Sequence, residues 1–501
     1  MLRARAQAEP DEVAFSLWDG VRAVPTTWGE YAEGVREVAL GLHALGVVPG
    51  ERVAIMSPAR PEWVVTALGI LSAGGIPVGL YPTSSVVETK QALEHSETRV
   101  VVAESADDIA KVADVVGSLP ALRAVIGFDV EPSGLPAEVT SRTWTALREV
   151  GRGLAESEPW LFDELVDLGE IDQPAALFYT SGSTGAPKGV VHTHRTLQYS
   201  VLSFGTHYPE VATVRHDLVG FLGLSHVAPA LVGVYVPIMT RLVITFCRMD
   251  QRSQALVGVR PTAVVWPPRM HEKLLSEALA ELKASPALFR AAYRVAMKLG
   301  RLVAARRWQA GDIPWHLRAP YKIALRCVFL PLRRKVGMDR ITVAWTASGA
   351  MTPEVHALWQ VWGLDLRELY GTTETCGAVL VQWDRSFPPP GTVGKSVPDP
   401  RWAIKVTDDG ELLVKAPLLF AGYWNDPEAA SEVMDEGWYH TGDLVEIDDA
   451  GEVKLIGRAK DVVITTGGKT ISRSRSKYAS KPVRSSKKRW SSETVASISP
   501  P

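Results

Sequence analysis

Short, fully apolar runs alternate with helix-period segments through the first 270 residues, and this rhythm restricts the fold more than any other feature. RVAIMSP (52–58) reads as a buried strand, PEWVVTALGILSAG (61–74) as the helix after it, and GIPVGLYP (75–82) and TRVVVAES (98–105) continue the series. Ahead of them, YAEGVREVALGLHALGV (31–47) has helical spacing and stops at PGE. A strand apolar on both faces must be covered on both, so the alternation predicts a mostly parallel sheet flanked by helices. The stretch 272–340 is instead a helical block rich in Arg, Ala and Leu, whose basic residues are expected to form a solvated face. From 391 to 457 the pattern turns antiparallel. KVTDDGELLVKAP (405–417) and VEIDDAGEVKLIGR (445–458) each place an Asp-Gly or Ala-Gly turn between alternating strands. The expected class is α/β: a large core over 1–390, then a small antiparallel β subdomain over 391–457.

Bulk properties exclude several classes. A chain of 501 residues exceeds one ordinary core, and 46% hydrophobic with 22% charged residues is the balance of a soluble globular protein. Cys247, Cys327 and Cys376 share no close spacing, so neither a disulfide framework nor a zinc site is expected, and a reducing, cytoplasmic home is. MLRARAQAEPDEVAF lacks the apolar core of a secretory signal. LVGVYVPIMTRLVITF (231–246) contains Pro237 and Arg241 and falls short of the ~20 apolar residues a bilayer span needs. It reads as buried strand and helix, with peripheral membrane contact left open. Residues 471–501 carry eight Lys/Arg against Glu493, a net +7, so the −2 of the whole chain leaves −9 on the other 470 residues. That body has no basic stripe for nucleic acid.

One loop concentrates chemistry. YTSGSTGAPKGV (179–190) gathers three glycines, five hydroxyls and Lys188. Glycines let backbone N–H groups approach an anion, hydroxyls add donors, and the lysine adds charge, which is what polyphosphate binding requires. The strand AALFY (175–179) precedes it, and open α/β sheets place ligands at loops after strands. A flexible Gly/Ser linker is the rival reading, but linkers seldom carry Pro-Lys-Gly after such a run. The spacing from Gly182 to Lys188 rules out a Walker loop, and GGKT (467–470) fails because Val463 stands where the first glycine belongs.

Four further stretches, GFLGLSHVAP (220–229), ASGAMTPE (347–354), ELYGTTET (368–375) and YHTGDLVEID (439–448), follow in order, and GRAKDVVITTGGK (457–469) completes the set. Together they resemble the AMP-forming acyl-CoA synthetases of the adenylate-forming superfamily, from near residue 10 to about 472. The resemblance implies ATP-dependent activation of a carboxylic acid to acyl-AMP, then transfer to coenzyme A. It places Thr180, Ser181, Gly182, Ser183, Thr184, Gly185 and Lys188 around the β- and γ-phosphates, Thr184 and Glu374 on Mg²⁺, and Thr373 at the α-phosphate. Tyr370 with Gly371 would meet the adenine over a floor of Gly349 and Ala350. Asp443 would take the ribose hydroxyls with Arg458 nearby, His226 would stand at the acyl entrance, and Lys460 at a hinge. Read alone, Asp443 is a turn acid, Glu374 a helix-start acid and His226 a structural histidine. His192 and His194 inherit no role and are read as structural.

PTAVVWPPRMHEKL (261–274), followed by the helical block and VAWTASGAM, is similar to long-chain fatty acyl members, so a fatty acid is the expected substrate. GLSH and SGAM depart from the family's P-L-S-H and S-G-G-A beside the acyl tunnel, which leaves chain length open. A ligase that hands acyl-AMP to a carrier protein is the alternative within this chemistry. A non-catalytic nucleotide- and lipid-binding relative is the alternative outside it, and an oxidative, light-emitting relative shares the same motifs.

After GRAKDVVITTGGKTIS the composition changes. Residues 458–472 read as the hinge and start of the family's C-terminal lid, and 473–501 as a disordered basic, Ser-rich tail. The degenerate code allows codons for RSRSKY that read PVEVEI once one base is restored, which continues the family pattern, so a reading-frame slip near Ser472 is expected. The rival is a genuine basic tail. Without the lid and its bridging lysine, the resemblance implies retained ATP and acyl-adenylate binding with impaired adenylation and thioester formation.

Overall fold

The runs Arg52–Met56, Ile76–Leu80 and Val100–Ala103 are strands buried along their whole length. They form the middle of an eight-stranded sheet in a computed structural model that describes residues 1–180, 187–464 and 470–472. The chain divides into two units. The first comprises Met1–Val264, Gly371–Ala378 and Pro417–Glu432; the second comprises Val265–Tyr370, Val379–Ala416 and the described residues from Val433 onward.

In the first unit the strand order is Gly422–Tyr423, Lys188–Thr193, Pro174–Thr180, Ile76–Leu80, Arg52–Met56, Val100–Ala103, Ala124–Gly127, Thr140–Thr143. Pairing is parallel from Pro174–Thr180 to Thr140–Thr143 and antiparallel at the two edge strands on the other side. A second sheet of four strands orders His216–Gly220, Leu242–Phe246, Val13–Trp18, Ala23–Thr27. The apolar run 231–246 thus divides into helical turns and a buried strand, as its composition implies. Helix His194–His207 starts directly after the edge strand because Thr193 and Thr196 cap each other: the Thr196 N–H donates to Thr193 Oγ1 at 3.2 Å and the Thr193 N–H donates to Thr196 Oγ1 at 3.0 Å.

The second unit contains Val343–Thr346 and Leu366–Tyr370 as parallel neighbours in a five-stranded sheet. Its helical block comprises Pro268–Ala284, Ala287–Trp308, Trp315–Ala324 and Leu330–Lys335. Trp345, Trp359 and Trp362 are fully buried there, with Trp359 edge-on to Trp362 at 5.6 Å and Phe329 stacked on Trp362 at 6.4 Å. The two hairpins foreseen from turn chemistry are present: Ala403–Val406 pairs with Glu411–Lys415, and Trp438–Ile447 with Val453–Arg458, all antiparallel. Among the described residues no helix is long and apolar enough to cross a membrane.

Candidate active site

Each unit gathers its own group of the residues singled out by sequence. In the first, strands Pro174–Thr180 and Lys188–Thr193 pair antiparallel down to Thr180 opposite Lys188, so a hairpin closes the glycine-rich loop. Ser181, Gly182, Ser183, Thr184 and Gly185 lie outside the described residues. Lys188 lays its ammonium 4.8 Å from the centre of the Tyr423 ring, a cation–π contact. The Tyr423 hydroxyl donates to Glu374 Oε1 at 2.9 Å. Tyr423 therefore bridges the lysine expected at phosphate and the carboxylate expected at magnesium.

The backbone fixes this bridge. Gly422–Tyr423 pairs with Val190–Val191, the Trp424 N–H donates to the Gly189 carbonyl at 2.7 Å, and the Phe420 N–H donates to the Glu374 carbonyl at 2.8 Å. One short segment thus ties the strand carrying Lys188 to the turn carrying Glu374. Within that turn the Thr372 N–H donates to Thr375 Oγ1 at 2.9 Å. Gly371 must be glycine, since a Cβ there would stand 1.8 Å from the Gly377 carbonyl oxygen.

Thr373 is held from below by His192, which is fully buried, with Nε2 2.8 Å from the Thr373 carbonyl oxygen. A carbonyl only accepts, so Nε2 carries the proton. Burial lowers the His192 pKa to about 4, which keeps the ring neutral. His226 caps the short helix Val227–Ala230, its Nδ1 accepting from the Ala228 N–H at 3.3 Å, and burial lowers its pKa too. It stands beside the C-terminal end of strand Ile76–Leu80: Ser225 Oγ donates to the Leu80 carbonyl at 2.7 Å. Gly79 makes that approach feasible, because a Cβ would come within 2.6 Å of Ser225 Cα.

The second unit gathers Tyr370, Asp443 and Arg458. Tyr370 ends strand Leu366–Tyr370, and Asp443 faces Arg458 across the antiparallel pair Trp438–Ile447 and Val453–Arg458. The Tyr370 hydroxyl donates to Asp443 Oδ2 at 2.6 Å, and Arg458 Nε lies 2.8 Å from Asp443 Oδ1. Burial, then the Asp443 charge, raise the Tyr370 pKa well above its ordinary value. The phenol therefore stays a donor. Gly349 and Ala350 are exposed after strand Val343–Thr346, at a turn where Ser348 takes a left-handed φ of 63°. The next residue anchors them: the Met351 N–H donates to Glu368 Oε2 at 3.3 Å. Glu368 is buried beside His356, with Nδ1 3.0 Å from Oε1, while His356 Nε2 donates to the Leu366 carbonyl at 2.6 Å. Lys460 is exposed in the short turn Ala459–Asp461.

A sequence profile of AMP-binding enzymes matches residues 2–424. The chain belongs to the AMP-binding enzyme family. This AMP-binding enzyme is 33% identical over 469 residues to the long-chain-fatty-acid–CoA ligase FadD15 of Mycobacterium bovis, covering 92% of this chain and 74% of that one. Two solved structures share its fold. ATP-bound MatB from Rhodopseudomonas palustris superposes with a TM-score of 0.68 at 23% identity, covering 96% of this chain and 83% of MatB. The N-terminal domain of FACL13 from Mycobacterium tuberculosis gives 0.64 at 22% identity, covering 91% of this AMP-binding enzyme and 98% of that domain.

Three positioning residues escaped the sequence reading: Tyr423, Glu368 and His356. Tyr423 had a faint signal, an aromatic after glycine in FAGYWNDPEAA. Glu368 sits inside a motif already singled out, but nothing local distinguishes a buried acid from an exposed one. His192, read as structural, holds the backbone of a site residue.

Proposed function

We propose that this AMP-binding enzyme activates a long-chain fatty acid with ATP and transfers the acyl group to coenzyme A. A carboxylate oxygen attacks the α-phosphorus, the bond to the β-phosphate breaks, and pyrophosphate leaves with the bonding electrons. The coenzyme A sulfur then attacks the acyl carbon, AMP leaves with the electrons of the C–O bond, and the thiol proton passes to solvent.

The observation that carries the reading is the meeting of Lys188 and Glu374 on Tyr423, a cation that follows the hydroxyl-rich run in sequence and a carboxylate held on one ring. In this reading Thr180, Ser181, Gly182, Ser183, Gly185 and Lys188 receive the outer phosphates, and Thr373 the α-phosphate. Glu374 and Thr184 offer hard oxygen donors of the kind Mg²⁺ prefers. When bound, Mg²⁺ supplies positive charge that offsets the charge on the outer phosphates. Tyr370, Gly371, Gly349 and Ala350 take the adenine, Asp443 and Arg458 the ribose, His226 the acyl entrance and Lys460 the hinge. The fatty acid substrate follows from the similarity to FadD15.

The test is competition. A long-chain acyl-sulfamoyl adenosine, which mimics the acyl-adenylate, is expected to displace magnesium-dependent ATP from the chain at far lower concentration than its acetyl counterpart. Equal displacement by both would remove the long-chain assignment, and no ATP binding would remove the whole reading.

A further inference from the structure

Helix Ala287–Trp308 presents an apolar row to solvent. Leu288, Val295 and Leu302, spaced seven residues apart, are 82%, 69% and 57% exposed. Residues at that spacing line up along one side of a helix. Arg290, Arg294, Lys298 and Arg301 flank the row on one side, and among the described residues none of the four forms an ion pair. The next helix, Trp315–Ala324, repeats the arrangement: Trp315 is 83% exposed, with exposed Arg318 and Lys322 one and two turns on. Over residues 287–326 the chain carries nine Lys/Arg against one acid, Asp312.

A cavity of about 450 Å³ opens in the same block, lined by the cations Arg307, Arg318 and Lys322, the single carboxylate Asp312, and Tyr321 and Leu325 among others. Arg307 lies over the Tyr321 and Phe387 rings, and its Nη1 is buried with no hydrogen-bond partner among the described residues. A buried guanidinium N–H left unmatched is costly unless an acceptor arrives.

We propose that helices Ala287–Trp308 and Trp315–Ala324 dock the chain on an anionic lipid bilayer, the cavity around Arg307 receiving an anionic headgroup. A helix with an apolar row, a flanking cationic face and an exposed tryptophan sinks its apolar side into the headgroup region while its cations meet lipid phosphates. Uncompensated charge of one sign selects the anionic surface over a neutral one. The basic residues expected to be simply solvated thereby gain a partner. This inference does not depend on the adenylation reading.

The test is co-sedimentation of the full chain with vesicles of phosphatidylcholine containing roughly a third phosphatidylglycerol. The wild type is expected to pellet with these vesicles, to release in high salt, and to ignore pure phosphatidylcholine. V295D/L302D is expected to weaken binding at least tenfold, and R318Q/K322Q several-fold, with ATP affinity unchanged in both. All three proteins share the basic tail beyond Ser472, so the differences report the helices. Equal binding by V295D/L302D and wild type would overturn the proposal. So would self-association of the wild type, abolished by V295D/L302D, without vesicle binding, because the row would then serve a second copy of the chain.

Discussion

Around Glu374, in the first unit, the charged groups are lightly held. The carboxylate is part-exposed and receives the Tyr423 hydroxyl, while Lys188 rests on the ring of the same tyrosine. Around Asp443, in the second unit, the carboxylate is buried and takes both Tyr370 and Arg458 within 2.8 Å. A cation–π contact at a part-exposed site contributes about 1 kcal/mol and a single phenol-to-carboxylate hydrogen bond about 2 kcal/mol, and a stronger ligand displaces them. A buried, doubly bonded carboxylate resists movement. The difference teaches that the groups expected at phosphate and metal are kept available, whereas those expected at the nucleoside are set in advance.

The largest effect is expected where the preset region is anchored. E368A would strand His356 in the interior and free the Met351 N–H, at a cost of about 3 kcal/mol in urea unfolding, as for other broken buried pairs. E368Q keeps the shape and should lose less. A cost below about 1 kcal/mol would mean the region is not preset by this pair.

An acid titration comes next. His192 has a folded pKa of about 4 against an ordinary 6.5, through burial. As pH falls the unfolded chain takes the proton first, so stability present above pH 6.5 is lost on the way down to about pH 4. The loss is roughly 3 kcal/mol. His271, buried in the second unit with Nε2 near the Trp345 carbonyl, also has a pKa of about 4 and adds a loss of the same sign. H192Q, whose amide keeps a donor for Thr373, should flatten part of the slope in pH-dependent unfolding. An unchanged slope would contradict a neutral His192.

D443A comes third. Removing an acceptor of two strong bonds should weaken AMP binding by about 2 kcal/mol, roughly 30-fold, in calorimetry. Y423F is the smallest and the sharpest. It deletes the hydroxyl on Glu374 but keeps the ring under Lys188, and should reduce the magnesium dependence of ATP affinity several-fold, about 1 kcal/mol, while leaving AMP binding alone. If Y423F and D443A weakened AMP binding equally, the contrast between the regions would vanish.

Much of the fold was legible because burial dictates composition. RVAIM, IPVGL and VVVA can only be interior strands, and Asp-Gly and Ala-Gly between alternating residues can only turn. The site motifs were legible as well, since glycines and hydroxyls packed around one lysine have few other uses. The positioning contacts were not, because they depend on distant chain. His192 and Thr373 are 181 residues apart, and Tyr423 meets Glu374 only through its strand pairing with Val190–Val191. The exposed row on Ala287–Trp308 hid for a related reason: its spacing looks like a core face until burial shows which side the second unit covers.

Calorimetric titration of ATP with and without Mg²⁺, on the wild type and E374Q, tests the central claim most directly. Magnesium is expected to tighten ATP binding to the wild type at least tenfold and to do little for E374Q, with AMP affinity equal in the two. The same magnesium response in both proteins, or no ATP binding by the wild type, would contradict the account.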